Sequence, residues 1–254
     1  MRKWIPISIG LILTLSGTAL AQQIPIEPIK VPDISTPGNL SATLQLLLLL
    51  TILSLAPSIV IMMTSFTRII IVLSLLRQAM GTPSLPPNQV LMGLSLFMTL
   101  TVMGPTIGRV QSEAVTPYLD RQITQQVALD RVQVPVRDFM IKQIEAGGND
   151  EDVYLFHSFT GKPAPQTWGE VKTMTLIPAF MLSELKTAFL MGFKIYLPFL
   201  IIDIVISSVL ISMGMMMLPP AMIALPFKLL LFVLVDGWRL ITVGLMSSFA
   251  LPSG

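Results

Sequence analysis

From Leu40 to Thr67 the chain carries no charged residue, and after Arg68 the run IIIVLSLL continues to Leu76. A helix of about 20 residues already spans a hydrocarbon core, so this block exceeds what one crossing needs. Gln78 to Gly108 is a second uncharged block, broken at its start by Pro83, Pro86 and Pro87. The second helix is therefore expected to begin near Asn88 or Gln89, and residues 40–108 form a first apolar hairpin. A third block runs from about Ile195 to Leu218 and a fourth from Ala221 to Phe249, joined at Pro219-Pro220. Two adjacent prolines inside a helix lose hydrogen bonds and clash with the preceding turn, so they mark the tip of a second hairpin within 173–254. Only 12% of the residues are charged, against about 25% in a soluble domain. The expected fold class is all-α, with membrane-type hairpins.

Residues 109–172 are different and hold more than half of the chain's charged residues, of both signs. TPYLDRQITQQVALDRVQ has helical apolar spacing, Pro135 is expected to start a further helix at VRDFMIKQI, and GGNDED and GKPAPQ read as turns. This predicts a small, helical, water-facing segment. From Trp168 an amphipathic helix leads into the third block.

The N-terminus reads as a signal peptide over 1–21. Arg2 and Lys3 precede an apolar stretch from Trp4 to about Leu15, and Ala19-Leu20-Ala21 gives the A-x-A pattern before Gln22. Cleavage after Ala21 is expected, the alternative being an uncleaved anchor. Residues 22–39 contain four prolines without periodicity and read as an extended lead-in. A cleaved signal places the mature N-terminus outside the cytoplasm, the turn at Arg77–Asn88 inside and the charged segment outside. Arg68 and Arg77 fit the positive-inside rule; Lys172, Lys186 and Lys194 do not.

Several chemistries are excluded. The net charge is +2 and the basic residues do not cluster, which argues against nucleic acid. There is no cysteine, so thiolate metal sites, disulfides and a thiol nucleophile are out. A single histidine, His157, without metal-ligating neighbours reads as a structural residue. No phosphate-binding loop is present, and neither cofactor nor metal is expected.

Seven ionisable residues lie in or beside the second apolar half: Glu184, Lys186, Lys194, Asp203, Lys228, Asp236 and Arg239. Charge in such a setting is costly and marks pairing or function. Glu184, Asp203 and Lys228 read first as structural ion pairs and second as a proton or ion relay. Asp203 and Lys228 stand at unequal distances from the double proline, so pairing across this hairpin competes with Glu184 or a neighbouring subunit. Asp203 and Asp236 on adjacent helices raise an aspartyl protease, in which two carboxylates share a proton. Neither lies in a Tyr-Asp or Gly-x-Gly-Asp setting. Gly104-Pro-Thr-Ile-Gly108 has small-xxx-small spacing, with the proline read as ending its helix.

Met213, Met215, Met216 and Met217 crowd into SMGMMMLPP. One methionine at a turn is only an apolar residue. Four in five positions, with Met222 following, suit a place that seals when empty and yields when something passes, because the side chain is flexible and polarisable. A pore built this way requires several copies in a ring.

PAFMLSELKTAFLMGFKIYLPFLIIDIVISSVLISMGMMMLPP (178–220) and LPFKLLLFVLVDGW (225–238) closely resemble the FliP/SctR family of type III secretion export-gate proteins. FTRIIIVLSLLRQAMGTPSLPPNQVLMGLSLFMT (66–99) resembles the same family's first hairpin, and the likeness runs from about Leu40 to Phe249. The signal and long middle segment resemble the flagellar branch more than the injectisome branch.

The resemblance implies a non-enzymatic subunit of a helical conical assembly. Five such copies would join FliQ and FliR, with FlhB and FlhA, in the inner membrane at the flagellar basal body. Much of that assembly would lie on the periplasmic side. It further implies that Met215, Met216 and Met217, with Met213 beside them, form a gasket in a conduit for unfolded flagellar proteins. Glu184, Asp203 and Lys228 would bridge helices. The reading from another class is a proton-coupled or small-solute transporter using Asp203 and Lys228.

Overall fold

The computed structural model describes residues 37–161, 163–215 and 218–249, with side chains from Leu44 onward. The expected signal peptide and cleavage pair Ala19 and Ala21, and most of the lead-in, lie outside the described residues. Among the described residues all regular structure is helical. Three helices among the described residues are long and apolar enough to cross a membrane, or up to four if one bent pair counts as a span.

By contact density the chain forms two units, residues 1–52 and 53–254. The described part of the first is the opening of α1 (Pro37–Met62), whose leucines from Leu44 to Leu50 are exposed. The rest of the fold is the second unit.

The first apolar block breaks where a single long helix is expected. α1 ends at Met62 and α2 (Phe66–Ala79) begins after Met63-Thr64-Ser65. Thr64 supplies the reason: its hydroxyl donates back to the Ile61 carbonyl at 2.7 Å and accepts from the Phe66 N–H at 3.3 Å. A side chain that serves both ends competes with the helical ladder. α2 stops at Gly81, which is left-handed (φ 77°), the usual helix terminator. The prolines then forbid a restart until α3 (Asn88–Val110), where the sequence places it. Arg77 ties the turn, donating to Asn88 Oδ1 at 2.6 Å and to the Pro86 carbonyl at 3.2 Å.

Two prolines expected to bound helices do not. α3 continues through Pro105 and ends in a π-helical turn at Gln111–Val115, followed by the short α4 (Thr116–Leu119). α5 (Gln125–Gly147) runs straight through Pro135. Each proline removes one hydrogen bond, and at Pro135 packing outweighs that loss. Pro135 is itself buried, and Met140 and Ile144 one and two turns further on are fully so. α5 closes on left-handed Gly148, and α6 (Asp150–Ser158) follows with three acids in its first turn.

α7 (Thr173–Ser212) is a single helix of 40 residues, roughly 60 Å long. The expected amphipathic lead and the third apolar block are its two halves. Its N-terminal half packs with α5 and α6 around Met140, Ile144, Val153, Leu176 and Phe180. Further along it meets α2 in the second core, where Ile69, Val72, Leu73 and Leu76 lie against Leu91, Ala188, Phe199 and Phe232. Gly192 makes that approach possible, since a Cβ there would lie 2.2 Å from Leu75 Cδ1.

The fourth block is also broken. α8 (Pro220–Leu234) and α9 (Gly237–Ser247) meet at 65° across Val235-Asp236. Asp236 is left-handed (φ 51°), and a Cβ on Gly237 would strike the Phe232 ring at 2.2 Å. Asp-Gly is the pair that tolerates such a corner.

Candidate functional site: the methionine bend and the buried charges

The helix before the methionines is stopped by glycine rather than by proline. Gly214 is left-handed (φ 73°), its N–H donates to the Ile211 carbonyl at 3.0 Å, and the Met215 N–H reaches back to Leu210 at 3.0 Å. That pair of bonds is the Schellman closure of a helix C-terminus. Pro219 then precedes α8, whose first residue Pro220 occupies the position where a missing N–H costs nothing. The bend is thus built between a glycine stop and a proline start. Met213 is 65% exposed, Met215 39% and Met222 71%. Met216 and Met217 lie outside the described residues.

Below the bend, α7 and α8 are joined by charge. Lys228 Nζ donates to Asp203 Oδ2 at 2.7 Å and to the Ala79 carbonyl at 3.3 Å. The second acceptor is in the last turn of α2, where carbonyls lack helical partners and the helix dipole favours a cation. The lysine side chain is 7% exposed and the aspartate 30%. The structure therefore brings Asp203 and Lys228 together across the hairpin, their unequal spacing from the prolines being absorbed by the seven-residue bend Met213–Pro219.

Glu184 belongs to a different cluster. Arg68 of α2 grips it with two bonds, Nε to Oε2 at 2.8 Å and Nη2 to Oε1 at 2.5 Å. The same guanidinium donates to Gln143 of α5 at 3.1 Å, and to the Ser248 carbonyl and hydroxyl at 3.1 and 3.2 Å. Its carbon lies 4.0 Å from the centre of the Phe249 ring. Arg68, Gln143 and Glu184 are all buried, so four helices converge on one satisfied charge pair. The fork geometry of arginine suits this bidentate task. The sequence carried a signal for it: Arg68 is a lone charge in an apolar run, and Glu184 stands in apolar surroundings with only Lys186 nearby. Reading Arg68 only as an orientation marker missed the partner; Gln143, Ser248 and Phe249 had no signal of their own.

The remaining charges sort simply. Lys186 pairs with Asp152 of α6. Arg109 pairs with Glu113 and Asp138, each at 2.9 Å. Lys194 and Arg239 are exposed. Asp236 is an exposed corner residue, and Asp203 is occupied by Lys228, so the two aspartates share no proton. His157 is buried with Nε2 donating to the Pro163 carbonyl at 2.9 Å. Among the described residues no group of three metal-ligating side chains occurs.

Comparison with known proteins supplies the context for this geometry. The model of the FliP family matches residues 49–245. The "Flagellar biosynthetic protein FliP" of Bacillus subtilis (strain 168) is 51% identical over 223 residues, covering 88% of this chain and 99% of that protein. The protein of the same name from Aquifex aeolicus (strain VF5) is 48% identical, with 94% and 97% covered. That from Pectobacterium carotovorum subsp. carotovorum is 54% identical, with 84% and 81% covered.

Proposed function

The chain belongs to the FliP family, and on that premise we propose that it is a pore-forming subunit of the flagellar type III export gate. In this reading several copies, five by family resemblance, assemble with FliQ and FliR into a helical conical ring. FlhB and FlhA adjoin it. The assembly sits in the inner membrane at the basal body, with much of its mass on the periplasmic side, and passes unfolded flagellar proteins. The chain performs no catalysis in this scheme and supplies no energy.

The observation that carries the proposal is the bend itself. A glycine stop and a proline start hold a methionine-rich loop at the end of a 40-residue helix, and its described methionines, Met213 and Met215, point away from any packing core. Copies arranged around an axis would converge these side chains with Met216 and Met217 into a soft apolar seal. Methionine fits because it repacks around changing contents without polar groups that need partners. The buried pairs Lys228–Asp203 and Arg68–Glu184 brace the hairpin that presents the seal.

The test is to replace Met215, Met216 and Met217 together with alanine and measure conductance of the purified complex in planar bilayers. Shortened side chains lose contacts and leave a gap, so the expected complex assembles and leaks ions. Conductance as low as that of the unmodified complex overturns the gasket.

A further inference from the structure

One face of α3 is the wall of a long groove. Leu96, Leu100, Met103, Ile107 and Val110 line it at intervals of four and three residues, the spacing of a single helical stripe. The facing walls come from Val60 and Ile61 at the end of α1 and from Val132 and Val136 of α5. The groove has a volume of about 470 Å³ and an almost wholly apolar surface. From Leu96 to Val110 it follows about 21 Å of helix. Thr99 and Met103 form its floor, 6% and 4% exposed, while Leu96, Leu100 and Ile107 on the rim are about half exposed. The Thr64 and Thr99 hydroxyls in its lining are spent on the Ile61 and Ser95 carbonyls, each at 2.7 Å. Such a surface calls for an apolar occupant.

Two apolar occupants are available to a chain of this class: a helix of a second copy, or a hydrocarbon chain of the membrane. A helix with its side chains is about 10–12 Å wide, so it can lie across a slot between helices but cannot enter it. It would leave the floor at Thr99 and Met103 uncovered, a void that close-packed interfaces do not keep. An unbranched, flexible polymethylene chain can follow the slot and fill it. The surroundings favour the same occupant. Met92, one turn before Leu96 on the same stripe, is exposed and carries the apolar face beyond the groove towards the start of the helix. That helix belongs to a candidate membrane span, Asn88–Leu119. The groove therefore opens along a face made to meet lipid, with apolar surface leading into it.

We propose that this groove is a binding site for an acyl chain of a membrane phospholipid. The seated chain covers the floor and joins α1, α3 and α5 where the apolar helices give way to the charged segment. The site is independent of the gasket reading, since none of its residues belongs to the bend or to the buried pairs.

The test uses the full-length chain in vesicles of phosphatidylethanolamine and phosphatidylglycerol. The probe is a phospholipid carrying a diazirine in one acyl chain, and peptide mass spectrometry after illumination locates the adducts. Lipid lying around the outside of the protein reaches the rim but not the floor, so adducts at Thr99 and Met103 are the expected sign of a seated chain. Phe97, exposed on another face of α3, is the reference. Leu100→Trp fills the groove with an indole, and Ile107→Asp sets a carboxylate against the chain. Each should lower floor labelling relative to Phe97 about tenfold. Both positions are about half exposed, which leaves the fold room for either change. Absence of floor adducts, with or without labelling of Phe97, overturns the proposal. So does floor labelling unchanged in both variants. The photoreactive residue p-benzoylphenylalanine placed at Leu100 should capture lipid; capture of another copy of the chain instead would make the groove a contact between copies and likewise overturn it.

Discussion

Two buried charge pairs among the described residues, Arg68–Glu184 and Lys228–Asp203, are built on opposite plans. Arg68 and Glu184 are sealed: neither side chain exceeds 3% exposure, the contact is bidentate, and the guanidinium reaches three further groups. Lys228 and Asp203 are sealed on one side only, the lysine buried and the aspartate 30% exposed. Where both partners are desolvated, either one left alone has no recourse. Where one partner still touches the surroundings, it can be solvated again and the loss becomes asymmetric. The first pair is a clamp on four helices; the second braces a hairpin beside the methionine bend.

The largest effect follows from the clamp. Glu184→Ala strands a buried guanidinium and Arg68→Ala a buried carboxylate, and each should cost roughly 3–5 kcal/mol. Loss of folded, assembled protein in native mass spectrometry and a lowered unfolding temperature check this. The double variant Arg68→Met with Glu184→Leu should recover most of the loss, because paired charges replaced by apolar groups leave nothing uncompensated. If the double variant is as damaged as either single one, the clamp is not the source of the stability.

Next comes the seam on which the clamp sits. Gly192→Ala drives a methyl into Leu75, and forced repacking should cost about 1–3 kcal/mol. Leu75→Ala in the same chain should relieve it. Failure of that rescue in thermal unfolding would place the contact elsewhere.

The brace sharpens the contrast. Asp203→Ala leaves Lys228 buried with only the Ala79 carbonyl, whereas Lys228→Met leaves an aspartate that is already partly exposed. The first should cost about 1–2 kcal/mol and the second less, the exposed share of the pair being discounted. Oligomer yield measures both. Equal losses would show the two partners to be equally desolvated. Normal yield in both with export abolished would favour a relay between them over a brace.

How much of this was legible in the sequence depends on whether the signal was local. The start of α3 after Pro87 and of α8 at Pro220 follows from proline chemistry within a few residues. Pro105 and Pro135 show the limit of that rule. At Pro135, which is buried, packing from distant helices decides, and no local pattern records it. Breaks at Thr64 and Asp236 were missed for the opposite reason: one hydroxyl bond and one left-handed residue outweigh long runs of apolar sequence. The charges divide the same way. That Asp203, Lys228 and Glu184 needed partners was readable from their apolar surroundings. Which partner each took was not, because Arg68 and Glu184 are separated by more than a hundred residues.

The smallest expected effect concerns the end of α7. Gly214 closes the helix in a left-handed conformation that a Cβ disfavours, but nothing lies within 4 Å of the place a Cβ would occupy. Gly214→Ala therefore meets only the conformational penalty, about 1 kcal/mol, with no steric clash added. Asparagine tolerates this conformation better, so Gly214→Asn should cost less than alanine. Neither change touches a charge pair, and thermal unfolding should shift by less than for any variant above. Their interest lies at the bend. If the Schellman closure sets where α7 stops, alanine should let the helix lengthen into Met215 and turn the following methionines off their axis. A Gly214→Ala complex should then leak in planar bilayers, while Gly214→Asn stays tight. Equal conductance in the two would mean that Pro219 and Pro220 alone fix the bend.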